Sequence, residues 1–183
     1  MKHAGTQRIE TDRLIIRRFE LNDAEMMFRN WTNDSIVTRY MRWQAHETVE
    51  TTKEVLQHWV DGYKDNNCYH WGICFKEGEI IGSIGIFVTS EHDFSAEAGY
   101  CIGRKWWSQG VVSEALKAVL NYMFTHTDIE RIGAYHAVEN PASGRVMEKA
   151  GMKFEGLVKH QFRNNYGFYD CNLYGIIRKM WEK

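Results

Sequence analysis

The run from Ala96 to Phe124 constrains this chain most. Ala96-Glu97-Ala98-Gly99-Tyr100-Cys101-Ile102 reads as a strand, Gly103 to Gln109 as a connector, and Gly110 stands just before a strongly patterned helix. In that helix Val112, Ala115, Leu116, Val119, Leu120, Met123 and Phe124 fall on one stripe, with Glu114, Lys117 and Asn121 outside it. A stripe of this width must pack against a sheet.

The flanking sequence supplies the sheet. Leu14-Ile15-Ile16-Arg17-Arg18-Phe19 is apolar and β-branched, as a first strand is; Asn22-Asp23-Ala24-Glu25 then resembles a helix start, with Asn22 as cap and Glu25 three residues later. Ala24, Met27, Phe28 and Trp31 make one helical face, and Val49, Thr52, Leu56, Trp59, Val60 and Tyr63 make another. Tyr69, Trp71, Ile73 and Phe75 alternate, Lys76 to Glu79 turn, and Ile80 to Val88 return as the second arm of a hairpin. Arg131 to Val138 is a further strand. Asn140-Pro141-Ala142-Ser143 opens a short helix through Ala150, which Gly151 ends. Closing strands over 157–163 and 168–177 flank Asn164-Asn165-Tyr166-Gly167. The sum is an α+β (mixed α/β) architecture with a mostly antiparallel sheet flanked by helices, which disfavours the regular alternation of a Rossmann fold. No repeat, linker or low-complexity tract divides residues 1–183, so a single domain is expected, and 44% hydrophobic residues suffice for its core.

Several function classes fall away. A net charge of -1 gives no bulk attraction to nucleic acid or to anionic lipid. Apolar runs fall short of the roughly 20 residues that span a bilayer, and Met1 to Gln7 has no signal-type apolar core, so no membrane partner and a cytoplasmic location are expected. Cys68, Cys74, Cys101 and Cys171 lie far apart and read as reduced and buried. The eight histidines are scattered without a His-Glu-x-x-His, and no metal is expected.

The chemistry points to the strand-to-helix junction. Trp106-Trp107-Ser108-Gln109-Gly110-Val111-Val112-Ser113-Glu114 leaves backbone N–H groups unpaired at the positive end of a helix, where a phosphate binds well. Gly110 permits close backbone approach and Ser113 adds a hydroxyl, but there is no Gly-Lys-Ser/Thr of a P-loop. On this junction alone, Gly110 as a plain loop glycine stands as an equal reading.

With the following Glu114-Ala115-Leu116, the junction resembles the acetyl-coenzyme A pyrophosphate loop of GNAT N-acetyltransferases, [Gln/Arg]-x-x-Gly-x-[Gly/Ala], with Gly110 as its first glycine. The run from Asn140 to Gly156, with Asn140, Ser143, Glu148-Lys149, Gly151-Met152 and Glu155-Gly156, is similar to the family's second signature. Glu10-Thr11-Asp12-Arg13-Leu14 and the stretch from Tyr174 to Arg178 resemble the RimJ/RimL branch, which acetylates protein N-termini. The resemblance implies a GNAT-like acyl-CoA N-acyltransferase fold with acetyl-CoA as cosubstrate. It places the cofactor on Ser108, Gln109, Gly110, Val111, Val112 and Ser113, on Asn140, and on backbone near Ile102, whose N–H groups would meet the thioester oxygen. Two departures stand in the loop: Trp107 where Gln or Arg is commonest, and Val112 where Gly or Ala is usual.

An amine must be neutral to attack a thioester, whereas alkyl amines near pKa 10.4 and α-amines near about 7.7–8.0 are wholly or partly protonated. Glu97 matches the position where related enzymes place a base; otherwise it is an exposed strand carboxylate. Glu91, His92 and Asp93 offer a substitute base or a landing site for a cation. Met147 stands where many family members carry the tyrosine that protonates the leaving thiolate, and a thioether donates no proton. The resemblance makes Ser143 the replacement; the alternative is a helix-start hydroxyl bonded to backbone. Trp31, Tyr40, Trp43, Trp59, Tyr63 and Trp71 are core or the wall of an acceptor cleft. The reading is an N-acetyltransferase acting by direct attack in a ternary complex. Its acceptor is a protein N-terminal α-amine or, alternatively, a small amine such as a polyamine, amino acid or antibiotic. A non-catalytic acyl-CoA-binding module is a further alternative, and a homodimer is possible through sheet edges.

Overall fold

The computed structural model describes residues 1–181. An eight-stranded sheet crosses the molecule in the order β1-β2-β3-β4-β5-β6-β8-β7. The strands are β1 (Ile9–Glu10), β2 (Leu14–Arg17), β3 (Tyr69–Phe75), β4 (Ile80–Ser90), β5 (Ser95–Ile102), β6 (Arg131–Ala137), β7 (Lys153–Asn164) and β8 (Gly167–Ile177). Among the described residues, β5 beside β6 is the one parallel pair; every other neighbour runs antiparallel. The helices are α1 (Ala24–Met27), α2 (Ser35–Thr38), α3 (Val49–Gly62), α4 (Val111–His126), α5 (Pro141–Lys149) and α6 (Arg178–Trp181).

Alternation along the strands sorts side chains to two faces. On one face Ile84, Ile86, Ala96, Ala98, Ile102, Ile132 and Ala134 meet the apolar stripe of α4, and Val119, Leu120 and Met123 of that helix are fully buried. Each such side chain contributes about 1.5–3 kcal/mol on leaving water. On the other face Cys101 and Ile80 pack with Phe19 and with Met27, Trp31 and Leu56 of the first helical segments.

The first helical segment starts differently from the sequence expectation. A 3-10 turn, Leu21–Asp23, precedes α1, and Asp23 rather than Glu25 closes the start: its Oδ2 accepts the Glu20 N–H at 2.8 Å. Arg17 grips both Asp23 oxygens at 2.8 Å, and this buried pair outcompetes an exposed cap at Asn22. A π turn, Phe28–Thr32, continues α1. β7 begins at Lys153, ahead of the expected 157. Of the cysteines, Cys74, Cys101 and Cys171 are buried, Cys68 is half-buried, and all are free thiols. Among the described residues no helix is long and apolar enough to cross a membrane.

The end of α4 is held by a residue distant in sequence. Arg178 donates to the carbonyls of Phe124, of Thr127 at 3.0 Å and of Ile129 at 2.6 Å, satisfying groups that a helix terminus leaves orphaned.

Candidate active site

β5 and β6 pair for only three steps, Ser95 with Arg131, Ala96 with Ile132 and Glu97 with Gly133. Beyond Glu97 both strands continue, β5 against β4 and β6 against β8, without touching ladders with each other. Backbone groups along the facing edges therefore lack strand partners, which suits a ligand carrying amides of its own. A cavity of about 640 Å³ occupies this gap.

One wall is the loop before α4. Ser108 and Gly110 take left-handed φ of 61° and 75°, and this turn aims successive N–H groups the same way. None of the N–H groups from Ser108 to Ser113 donates to a protein acceptor among the described residues; the first bond of the helix is Glu114 N–H to Gly110 O at 3.1 Å. Unpaired donors at a helix N-terminus make an anion site. A methyl added at Gly110 would meet only Arg13 Nη2, at an ordinary 3.7 Å, so glycine is required there by φ rather than by crowding. Ser108, Gly110, Val111, Val112 and Ser113 line the cavity, as does Ile102. Gln109 does not: its amide donates to Lys105 O at 2.9 Å. Trp107 donates its indole N–H to Ile102 O at 2.9 Å, so it ties the loop to β5.

The loop is also anchored from the N-terminal stretch. The Thr11 hydroxyl donates to Glu114 at 2.5 Å, Arg13 Nε donates to the same carboxylate at 2.7 Å, and Arg13 Nη1 reaches Gln109 O at 3.2 Å. Burial by itself would raise Glu114, but the Thr11 hydroxyl and Arg13 hold it below the usual glutamate range.

The opposite wall is α5. Asn140 lines the cavity at the helix start; its side chain makes no capping bond, so the amide is available to a ligand. Ser143 Oγ lies 3.0 Å from the Tyr100 hydroxyl, which also lies 3.0 Å from Ser143 O. A phenol carries one proton: on the Ser143 carbonyl it leaves the Ser143 hydroxyl donating to Tyr100, and on Ser143 Oγ it leaves that hydroxyl free to donate into the cavity. Burial raises the Tyr100 phenol, which stays neutral. Met147 is buried one turn on. Under the helix, His136 Nδ1 sits 2.7 Å from Ala137 O and must carry the ring proton, while Nε2 faces Gly144.

The other face of the gap has different chemistry. Glu97 stands at the last paired step, on the side opposite Ala96 and Ala98. Burial raises its carboxyl above the ordinary glutamate range, and the Arg42 guanidinium partly offsets this. Arg42 donates to the Tyr135 hydroxyl from Nε at 3.2 Å and Nη2 at 2.8 Å. Tyr40 and Trp43 line the cavity, whereas Trp31 and Trp71 are wholly buried in core and Trp59 and Tyr63 pack beside Phe19 and Leu56. Glu91 is taken by His3 at 2.9 Å, and His92 and Asp93 pair with each other at 3.0 Å.

Tyr100, Arg42, Tyr135 and the α5 cations Arg145 and Lys149 escaped the sequence reading. Alternation would have placed Tyr100 with Ala98 and Ile102, facing the helices; nothing local links Arg42 to the site, because its partners are 93 and 120 residues away. The charged residues lining the cavity are Arg42, Arg145, Lys149 and Glu97, and none of the three cations is ion-paired among the described residues. Surplus positive charge with unpaired N–H groups fits an anionic nucleotide cofactor.

A model of the acetyltransferase (GNAT) domain matches residues 13–153. A Bacillus subtilis (strain 168) protein described as the uncharacterized N-acetyltransferase YoaA is 34% identical over 93% of this chain and 96% of its own. The ribosomal-protein-serine acetyltransferase of Escherichia coli (strain K12) is 32% identical over 56% of this chain and 58% of its own. The crystal structure of a GNAT-family acetyltransferase from Bacillus anthracis superposes with a TM-score of 0.83 at 29% identity, covering 94% of this chain and 99% of that one. With the phosphate-ready loop, the parted strands and these matches together, the chain belongs to the GNAT acetyltransferase family, whose acetyl donor is acetyl-CoA.

Proposed function

We propose that the acceptor is the α-amine at a protein N-terminus, with Glu97 as the base and Ser143 as the proton donor. The position of Glu97 carries this reading: a carboxylate raised by burial, at the closed end of the gap, facing a cleft walled by Tyr40 and Trp43. Acetyl-CoA supplies a thioester-activated acetyl group. The N–H groups of 108–113 hold its diphosphate, and Asn140 and the edge of β5 near Ile102 orient the chain leading to the thioester. An α-amine near pKa 7.7–8.0 keeps an appreciable neutral fraction at neutral pH, so a carboxylate is base enough; an alkyl amine near about 10.4 sets a harder task. Glu97 takes the proton that the amine loses, and the Ser143 hydroxyl, backed by Tyr100, gives one to the departing sulfur. The similarity to the ribosomal-protein-serine acetyltransferase supports the same class of acceptor.

Thermal unfolding with and without acetyl-CoA is the first test. Saturation at 100 times the dissociation constant adds about 2.7 kcal/mol, a rise of about 5–10 °C for a chain this size. Thiol release on peptides, polyamines and free amino acids then ranks the acceptors. Highest kcat/KM on peptides supports the reading and highest on a polyamine replaces it. A retained shift with no turnover on any amine would leave a binding module.

A further inference from the structure

We infer that Arg42 makes this site select acceptors with a carboxylate close to the amine, and discriminate against polyamines. The inference deepens the acceptor reading above and rests on it.

Arg42 lines the same cavity as Glu97, on the acceptor side of the gap. Its guanidinium is fixed before any ligand arrives. Nε and Nη2 both point to the Tyr135 hydroxyl, and the ring faces of Phe162 and Tyr135 lie 5.4 and 5.9 Å from the guanidinium carbon. The backbone beneath it is held too: Asn164 donates its side-chain amide to Arg39 O at 2.9 Å and to Met41 O at 3.1 Å. Yet this ordered fork has a neutral phenol as its partner. No carboxylate lies within ion-pair distance among the described residues, and Nη1 donates to nothing.

A cation in this place opposes catalysis on its own account. It favours ionised Glu97, a weaker base, and it repels an incoming ammonium ion. The arrangement makes sense where the acceptor brings a negative charge to it. A guanidinium with a free edge matches a carboxylate in two-point geometry. Two sources share that chemistry: an acidic side chain near a peptide N-terminus, and the α-carboxylate of a free amino acid.

Matched pairs of acceptors test this: Ser-Glu-Ala against Ser-Gln-Ala peptides, and serine against serine amide. Wild type is expected to prefer the acid of one pair by about tenfold in kcat/KM, equivalent to about 1.4 kcal/mol. Which pair responds identifies the source. In Arg42→Gln the preference falls to within about twofold, and in Arg42→Lys it survives in part. Any effect through Glu97 changes acid and amide alike and cancels in the ratio. Equal rates in wild type, or a preference retained in Arg42→Gln, overturns the inference. If no acceptor turns over, calorimetric titration of each pair into coenzyme A-loaded protein reads the same ratio in Kd, and no difference overturns it. The acetyl-CoA thermal shift, measured on each variant, separates this failure from failure of the acetyltransferase reading.

Discussion

A single methyl at Gly144 opposes two terms of comparable size. Gly144 lies inside α5, where replacing glycine by alanine favours the helix by about 0.8–1.0 kcal/mol. Its new Cβ, however, would lie 2.6 Å from His136 Nε2 and 3.2 Å from Cδ2 and Cε1. Ordinary contact between such atoms is about 3.5–4.0 Å, so helix and ring must separate by about 1 Å. The ring cannot swing away cheaply: it is buried, its Nδ1–H is held by Ala137 O at 2.7 Å, and Tyr174 packs at 5.7 Å between centroids. Overpacking of this kind costs about 1–3 kcal/mol, which outweighs the helix gain. Gly144→Ala should therefore lower stability by about 1 kcal/mol and Tm by about 2–4 °C. Because Asn140 sits at the start of the same helix and lines the cavity, the displacement also shifts that wall and should weaken acetyl-CoA binding severalfold. Thermal melts with and without acetyl-CoA read both effects. In a His136→Ala background the same change should become stabilising, since only the helix term remains. A Gly144→Ala protein that melts at or above wild type with an unchanged cofactor shift would refute the packing argument.

Glu97→Gln should lower kcat by at least about 100-fold while keeping the acetyl-CoA thermal shift. In wild type, kcat should fall as pH drops through a pKa above the usual glutamate range, because the base is lost on protonation; an acid limb at the ordinary glutamate value in the pH–kcat profile would contradict the burial argument. Glu114→Ala should cost about 1–2 kcal/mol at neutral pH through its charged hydrogen bonds. Glu114 is held below its unfolded pKa, so this contribution is present above that unfolded value and disappears as pH falls through the folded one; Tm against pH for both proteins should converge in acid. Ser143→Ala should reduce kcat by about 100-fold with acetyl-CoA affinity kept, and full turnover would remove Ser143 from the reaction.

Elements with strong period were legible. The stripe from Val112 to Phe124 became α4 at nearly the expected bounds, because one face of a long amphipathic helix leaves few alternatives. The backbone of the junction was legible as well, since it is local: Ser108 to Gly110 turn tightly into α4, and the N–H groups there stay unpaired among the described residues. What escaped depends on distance. Asp23 closes the first helix because Arg17 reaches it from β2, a competition that sequence spacing near Asn22 does not display. The two terminal stretches read only as family marks, yet each turns out to brace α4: Thr11 and Arg13 at its start, Arg178 at its end. The Ser143–Tyr100 contact and the Arg42–Tyr135 contact join segments 43 and 93 residues apart, and no short-range pattern encodes them.

The three-step pairing of β5 and β6 sets the proposed cofactor and acceptor residues on opposite faces of the sheet. Strand alternation sends Ala98, Tyr100 and Ile102 toward α4 and α5, and sends Glu97, Gly99 and Cys101 toward the other face. The loop before α4 and Ser143 lie on the first side; Glu97, Arg42 and Tyr135 lie on the second. A sheet paired along its whole length would separate the proposed cofactor loop from the proposed base by a wall of backbone. Parting the strands just past Glu97 opens that wall at the carboxylate proposed as the base, and leaves free N–H and C=O groups on both edges. The cost is a stretch of unsatisfied backbone in the middle of the sheet, tolerable only when water or ligand fills the gap. The site therefore follows from register more than from any one residue: a fourth β5–β6 pair, Ala98 with Ala134, would begin to close the passage with every side chain unchanged.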